Sequence, residues 1–228
     1  MVQAGRTPAG AGNPDNAGGV PDISAELYRD VVGFAAGTPE WVQSFAAFFT
    51  EAALVLLFGF LLLSCWRARR MPARSMAIAL LGVVAVGVAY ALSEILKSLI
   101  QENRPCRAMH VTTIVECPAP GDWSFPSNHS VIAGAAAIGV LVAWRKLGIP
   151  ALLLAMGAAF SRVFVGAHYP HDALVGLLFG ALVSAVVVLL LAGVVAQLVL
   201  RLRGNRATGR ALSADSEAEQ PTMQIPRI

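Results

Sequence analysis

Charged residues are scarce in this chain, and their scarcity excludes most soluble protein classes. Of the 228 residues, 17 are Lys or Arg and 14 are Asp or Glu, whereas 56% are hydrophobic. The charged share is 14%, compared with about 25% in an ordinary soluble domain. The basic residues are not interleaved with aromatic ones, so no nucleic-acid partner is expected.

Cysteine and histidine are also few, at three and four residues. None of them has the close spacing of common zinc sites, so the sequence predicts neither a metal nor another cofactor. Cys106 and Cys117 share one long polar segment, where either a disulfide or two free thiols would fit the sequence. Cys65 ends an apolar run and is expected to be a packing residue rather than a reactive thiol.

Five long apolar runs fill the middle of the chain. A transmembrane helix needs about 20 apolar residues, and the third and fourth runs approach that length only with their polar ends. The sequence therefore predicts an all-α polytopic transmembrane helix bundle with five spans. The runs are 42–66, 76–96, 128–144, 148–166 and 172–200, and a long outer loop, 97–127, separates the second from the third.

The segments that flank these runs are more polar. Residues 1–22 are rich in Gly, Ala and Pro and lack the apolar core of a signal peptide, so a disordered tail is predicted. Residues 23–37 have apolar residues at helical spacing, which fits either an interfacial membrane helix or a short soluble helix. Residues 23–203 form the predicted membrane domain, and the polar residues 204–228 form a second disordered tail.

Positive charge predicts the orientation of the bundle. Arg and Lys residues gather in 67–74, in 145–146 and in 201–210, and these segments all fall on one side of a five-span bundle. By the positive-inside rule that side is cytoplasmic. The chain is thus predicted to be a multi-pass plasma-membrane protein with a cytoplasmic C-terminus and an outward-facing loop 97–127.

Three polar clusters lie at the ends of the apolar runs. Because successive helices alternate in direction, all three clusters are expected at the outer membrane surface. Ionisable residues within membrane segments are costly and usually have a function. The clusters are Lys97 with Arg104, then Ser127, Asn128 and His129, and then Arg162 with His168 and Asp172.

Together these residues have the chemistry that cleaves a phosphate ester. The cations Lys97, Arg104 and Arg162 can surround the non-bridging oxygens of a phosphate. The hydroxyl of Ser127 and the first amides of the helix that follows it can add hydrogen-bond donors. The sequence therefore predicts an anion site of three cations at the outer surface.

The histidines divide the steps of that reaction. Asp172 follows His168 by four residues, a helical spacing that lets the carboxylate fix the imidazole tautomer. His168 is therefore the predicted nucleophile, which forms a phosphohistidine. His129 is the predicted general acid, which later activates water. His110 and His171 lack such neighbours and are expected to be structural.

Two acidic residues lie within the predicted spans. Glu51 and Glu94 are costly in lipid, so they are expected to face the bundle interior or polar partners rather than take part in chemistry. Glu94 lies one helical turn from Lys97 and is close enough to pair with it.

At the three clusters the sequence resembles the type 2 phosphatidic acid phosphatase family. The family pattern is KxxxxxxRP, PSGH and SRxxxxxHxxxD, and the matching segments are KSLIQENRP (97–105), PSNH (126–129) and SRVFVGAHYPHD (161–172). Asn128 stands where the pattern has Gly, and Asn tolerates unusual backbone angles. Members commonly have six transmembrane helices, and an interfacial helix at 23–37 would account for the difference from five.

The resemblance implies a metal-independent phosphohydrolase that acts through a phosphohistidine and needs no cofactor. Its roles agree with those argued from the residues themselves. It implies His168 as nucleophile, Asp172 as its partner, His129 as general acid, and Lys97, Arg104, Ser127, Arg162 and, in the glycine position, Asn128 as phosphate ligands.

The expected function is a lipid phosphatase or diphosphatase at the outer membrane interface, with lipid phosphate and the bilayer as its partners. The segments SFPSNHS and SRVFVGAHYP look like those of undecaprenyl-diphosphate phosphatases, which favours a polyprenyl diphosphate and a role in cell wall biogenesis. Arg107 is available for the second phosphate. Phosphatidic acid, phosphatidylglycerol phosphate and a lipid phosphotransferase reaction are the alternatives. A non-enzymatic phospholipid transporter or scaffold is the competing class, and the sequence predicts no oligomeric state.

Overall fold

The computed structural model describes residues 20–205 and Leu212, and all regular secondary structure in that part of the chain is helical. Apart from 20–22, 204–205 and Leu212, the two predicted disordered tails lie outside the described residues. The helices are α1 Asp22–Ala36, α2 Glu40–Ala68, α3 Ala73–Ile100, α4 Pro105–Ala108, α5 Asn128–Ala143, α6 Arg145–Phe164 and α7 Pro170–Arg203.

Five of these helices correspond to the five predicted spans, namely α2, α3, α5, α6 and α7. Four of them, α2, α3, α6 and α7, are long and apolar enough to cross a membrane. The fifth, α5, has 16 residues, a length of about 24 Å at the α-helical rise, which is shorter than the hydrocarbon core of a bilayer. The predicted fold class, a polytopic all-α membrane bundle, is confirmed.

The short helix α5 forms the centre of the bundle. It contacts α2, α3, α6 and α7, and most of its small side chains are completely buried. Alanine and glycine let neighbouring helix backbones approach closely, and this approach provides the packing energy inside a membrane, where lipid is as apolar as the core. The small residues of α5 therefore determine how near the polar ends of the surrounding helices come.

The closest approach is between α5 and α7, where glycines from both helices meet the opposite backbone. A Cβ atom added at Gly134 would overlap the carbonyl oxygen of Leu177, and one added at Gly180 would overlap that of Val131. One added at Gly176 would lie 2.8 Å from the carbonyl oxygen of Ser127. Side chains at these positions would separate α5 from α7.

The basic segments meet at one end of the bundle. The guanidinium of Arg203 donates to the carbonyl oxygens of Ala68 and Met71, which joins the end of α7 to the turn between α2 and α3. The guanidinium of Arg67 lies 4.9 Å from the ring centroid of Trp144, at the junction of α5 and α6. The clustering is the one that the orientation prediction requires, while the direction of the bundle in a membrane stays a prediction.

The N-terminal helix α1 packs against α6 and α7. Tyr28 on α1 is completely buried, and its hydroxyl donates to the carbonyl oxygen of Gly166 at 2.9 Å. The tilted rings of Tyr28 and Tyr169 are 5.4 Å apart. The predicted helix at 23–37 is therefore present and braces the turn between α6 and α7, while its place at the membrane interface stays a prediction.

The contact between α5 and α7 predicts the effect of one added methyl group. Gly180→Ala should lower the free energy of unfolding by about 1–3 kcal/mol, because either the Val131 backbone or α7 has to move. The matched control is Gly193→Ala on the same helix, where nothing lies within 4 Å of the added Cβ. Thermal unfolding of the purified protein in detergent should show a lower Tm for the first variant alone. Equal melting temperatures would contradict the close approach.

Candidate active site

The three predicted clusters converge at the end of the bundle opposite the basic segments. Each cluster lies at a helix end, where a turn or loop brings its side chains toward the other two. Lys97 is in the last turn of α3, Arg104 precedes α4, Ser127 precedes α5, Asn128 and His129 open α5, Arg162 is in the last turn of α6, His168 is in the following turn, and Asp172 is in the first turn of α7.

The imidazole of His168 lies between a carboxylate and a guanidinium. Its Nδ1 is 3.4 Å from Oδ2 of Asp172, and its Nε2 is 3.1 Å from Nη1 of Arg104. The side chains of His168 and Asp172 are 2% and 0% exposed. Since Nδ1 faces the carboxylate, Nε2 is the nitrogen that faces the cationic side of the site.

Burial keeps this imidazole neutral. Desolvation lowers the pKa of His168 to about 3, which outweighs the opposing hydrogen bond with Asp172, and the charge of Arg104 lowers the pKa further. A neutral imidazole with its proton on Nδ1 has an unshared electron pair on Nε2. The electron pair of Nε2, which here accepts from Nη1 of Arg104, is therefore the one that the predicted nucleophile would use at neutral pH.

The carboxylate of Asp172 is fixed by donors from two other segments. Its Oδ2 accepts from the hydroxyl of Ser124 at 2.5 Å and from the backbone N–H of Tyr169 at 3.0 Å. The backbone N–H of Ser127 donates to the peptide oxygen of Asp172. Ser124 was not among the predicted site residues, because its hydroxyl reaches Asp172 only after the loop has folded against α7.

A loop carboxylate joins two of the predicted phosphate ligands. Oδ1 of Asp122 lies 2.9 Å from Nη2 of Arg104 and 3.3 Å from Nζ of Lys97. Partial burial raises the pKa of Asp122, but the hydrogen bond and charge of Arg104 and the charge of Lys97 lower it more, so the pKa lies below its ordinary value. Asp122 is thus a negatively charged group that lies against two cations of the predicted anion site. The sequence does not reveal it, because no periodic pattern marks a loop residue.

A second carboxylate contacts two other predicted site residues. Oε1 of Glu51 on α2 is 2.9 Å from Nε2 of His129 and 3.8 Å from Nη1 of Arg162. Glu51 therefore has the polar partners that the sequence indicated. Its side chain is 67% exposed, so it does not face the bundle interior. The hydroxyl of Thr50 accepts from Nη1 of Arg162 at 3.1 Å.

Asn128 connects the start of α5 to α3. Its side-chain oxygen accepts from the hydroxyl of Ser93 at 2.6 Å, and its side-chain nitrogen donates to Glu94 at 2.6 Å. Glu94 also lies 4.0 Å from Nζ of Lys97, the pairing that the sequence indicated. The hydroxyl of Ser127 is buried and has no hydrogen-bond partner among the described residues, so it is available to a ligand.

The long loop between α3 and α5 is closed by a disulfide and held by Arg107. Cys106 and Cys117 are joined, with their Cα atoms 6.0 Å apart. Arg107 donates to the carbonyl oxygens of Pro118 at 2.8 Å and Asp122 at 3.0 Å. The guanidinium predicted for a second phosphate therefore holds the backbone of the segment that carries Asp122.

The sequence predicts structural roles for the two remaining histidines. His110 is exposed and lies in the outer loop. His171 lies beside Asp172 and Glu102, and one potential metal-ligating atom from each of these three residues lies within 4.8 Å of the others. Nε2 of His171 is 3.2 Å from each carboxylate, so the imidazole already pairs with both of them.

Comparison with known proteins relates this site to a phosphatase family. The model of the PAP2 superfamily matches residues 78–195, which is more than half of the chain and includes every predicted phosphate ligand and catalytic residue. The helices α1 and α2 lie outside the matched region.

Three curated relatives are phosphatases of polyprenyl lipids by name. The chain is 32% identical to an undecaprenyl-diphosphatase of Sulfolobus acidocaldarius over 49% of its length, and the aligned region spans 54% of that relative. It is 35% identical to a decaprenylphosphoryl-5-phosphoribose phosphatase of Mycobacterium tuberculosis over 57% of its length and 70% of the relative. It is 32% identical to undecaprenyl-diphosphatase BcrC of Bacillus subtilis over 64% of its length and 71% of the relative.

A solved structure has the same fold. The transmembrane PAP2 type phosphatidylglycerolphosphate phosphatase from Bacillus subtilis aligns with a TM-score of 0.56 at 21% sequence identity. The alignment covers 73% of this chain and 83% of the other.

The position of Asp122 predicts how the anion site responds to its removal. Asp122→Asn should lower the inhibition constant of inorganic phosphate for the phosphatase activity about fivefold. The reason is that roughly 1 kcal/mol of charge repulsion between the carboxylate and the bound phosphate is lost. The matched control, Glu116→Gln, removes the same charge from an exposed position of the same loop and should leave the inhibition constant unchanged. Weaker inhibition of Asp122→Asn would show that the carboxylate organises the cations instead of competing with phosphate.

Proposed function

Because the chain belongs to the PAP2 superfamily of membrane phosphatases, we propose that it hydrolyses a polyprenyl diphosphate through a phosphohistidine on His168. The observation that carries this proposal is the environment of that imidazole. It is buried and neutral, with Asp172 behind Nδ1 and Arg104 beside Nε2. A buried neutral histidine that is oriented by a carboxylate at Nδ1 is suited to attack phosphorus with Nε2 rather than to pair with a substrate anion.

The reaction has two steps that use both histidines. His168 Nε2 attacks phosphorus while the bond from phosphorus to the leaving oxygen breaks, and His129 donates a proton to that oxygen. Water then attacks the phosphohistidine and its proton passes to His129, which releases phosphate and restores both imidazoles. For a polyprenyl diphosphate, the leaving group is the polyprenyl monophosphate.

The cations Lys97, Arg104 and Arg162 would surround the transferring phosphoryl group, whose negative charge is spread over its equatorial oxygens. The carboxylates of Asp122 and Glu51 lie beside these cations. Their side chains are 47% and 67% exposed, so both can turn toward solvent without crossing packed protein. We propose that phosphate replaces these two carboxylates when substrate binds.

The choice of lipid is supported by the relatives and by the location of the site. Two of the relatives described above are undecaprenyl-diphosphatases by name. The site lies opposite the arginine-rich end of the bundle, which the positive-inside rule assigns to the cytoplasm. A polyprenyl diphosphate at the outer interface would present its headgroup to the site while its tail stays among the apolar helices.

A polyprenylphosphoryl sugar phosphate is the second candidate. The relative from Mycobacterium tuberculosis is named for such a substrate and is 35% identical to this chain. A sugar phosphate has a single terminal phosphoryl group, so it needs no second-phosphate ligand. Since Arg107 donates to the backbone of Pro118 and Asp122, this candidate fits the site without moving that guanidinium.

The proposal predicts activity of the purified protein in detergent with EDTA present. A short polyprenyl diphosphate should be hydrolysed with a higher kcat/KM than phosphatidic acid, phosphatidylglycerol phosphate or a polyprenylphosphoryl sugar phosphate. His168→Ala should lower phosphate release roughly 1,000-fold or more, because removal of a nucleophile leaves only binding and charge stabilisation. Release of inorganic phosphate is the measurement.

The matched control is His110→Asn, since His110 is exposed and has a φ of 52°, which Asn tolerates. This variant should keep wild-type turnover. Full turnover by His168→Ala would exclude the phosphohistidine. Transfer of the phosphoryl group to an acceptor other than water would identify a phosphotransferase, and lipid binding without turnover would favour a transporter or scaffold.

A further inference from the structure

The imidazole of His171 contacts residues from several segments that are distant in the sequence. Its ring stacks between two aromatic rings, with centroids 5.8 Å from Phe125 at an angle of 26° and 5.6 Å from Tyr169 at an angle of 21°. Phe125 belongs to the segment before α5, and Tyr169 precedes α7. The imidazole is therefore fixed between two segments that carry predicted site residues.

Both carboxylates beside the ring face the same nitrogen. Nε2 of His171 is 3.2 Å from Oε2 of Glu102 and 3.2 Å from Oδ1 of Asp172. The N–H points at Glu102, with which it makes a hydrogen bond, so its contact with Asp172 is electrostatic rather than an aligned hydrogen bond. Oδ1 of Asp172 is buried and has no hydrogen-bond partner among the described residues. The imidazole of His171 is therefore the polar group that stabilises this oxygen.

The other nitrogen connects the ring to α1. Nδ1 of His171 is 2.7 Å from the hydroxyl of Ser24, and the backbone N–H of His171 donates to the same hydroxyl at 3.3 Å. Two carboxylates at Nε2 favour a proton on that nitrogen. The hydroxyl at Nδ1 fixes the plane of the ring.

The geometry points to His171 as a positioning residue for the nucleophile, an inference that rests on the proposed function. One carboxylate, Asp172, is shared by two imidazoles. Oδ2 faces His168, and Oδ1 faces His171. The polar edge of His171 separates Asp172 from Glu102 and holds the carboxylate plane so that Oδ2 stays on Nδ1 of His168. Without it, two carboxylates would repel each other beside the nucleophile.

The test compares two replacements of the ring in the full-length protein. His171→Phe keeps the stacked ring and removes both polar nitrogens, whereas His171→Gln supplies an amide donor. His171→Phe should lower kcat for a short polyprenyl diphosphate about tenfold, the lower range for loss of a group that orients a catalytic residue. KM should stay within about twofold, because His171 does not contact the proposed phosphate position. His171→Gln should recover part of kcat.

Ser24→Ala keeps the inference testable if the ring variants do not fold. It removes one hydroxyl from α1, outside the residues matched by the family model, and should lower kcat severalfold without changing KM. The Tm of each variant is measured in parallel. Wild-type kcat in both folded His171→Phe and Ser24→Ala would overturn the inference.

His168→Ala, assayed alongside, separates this inference from the proposed function. If His168→Ala is inactive while the His171 and Ser24 variants behave as wild type, only the positioning role fails. If His168→Ala retains turnover, the proposed function itself fails. A loss of kcat in His171→Phe that Gln restores, at similar Tm, supports the positioning role, whereas an equal loss in both His171 variants would contradict it.

Discussion

The buried carboxylate of Asp172 is the group on which the arrangement of the site depends. A carboxylate without solvent is strongly destabilising unless donors surround it. Here the hydroxyl of Ser124 and the backbone N–H of Tyr169 donate to it, and Nδ1 of His168 lies 3.4 Å from the same oxygen. Because these groups come from the outer loop and from the turn before α7, satisfying one charge brings distant segments together.

Helix packing places that carboxylate next to the start of α5. Gly176 and Gly180 of α7 lie against the backbone of α5, so the first turns of the two helices are held side by side. The backbone N–H of Ser127 then reaches the peptide oxygen of Asp172. The small residues of α5 and α7 thus set the geometry of the site as well as the stability of the bundle, since larger ones would move His129 away from His168.

The sequence was sufficient for the fold class, the helical segments and the set of residues that converge. Charge at helix ends is conspicuous in an apolar chain, and the positions of the arginine-rich turns relate it to one end of the bundle. Asp122 and Ser124, and the contacts of Glu51 with His129 and Arg162, could not be found this way, because they depend on how an irregular loop and an exposed helix face are placed in the fold. His171 was judged structural because its neighbours Glu102 and Ser24 are distant in the chain.

The proposed function requires that the phosphoryl group is transferred to Nε2 of His168 and forms a covalent bond with it. The most direct measurement is mass spectrometry of peptides from the protein quenched at alkaline pH during turnover, with EDTA present. We expect a phosphorylated imidazole at His168, and none in the Asp172→Ala protein, in which the imidazole has lost its partner. Turnover without phosphate on His168, or with phosphate on another side chain, would contradict it.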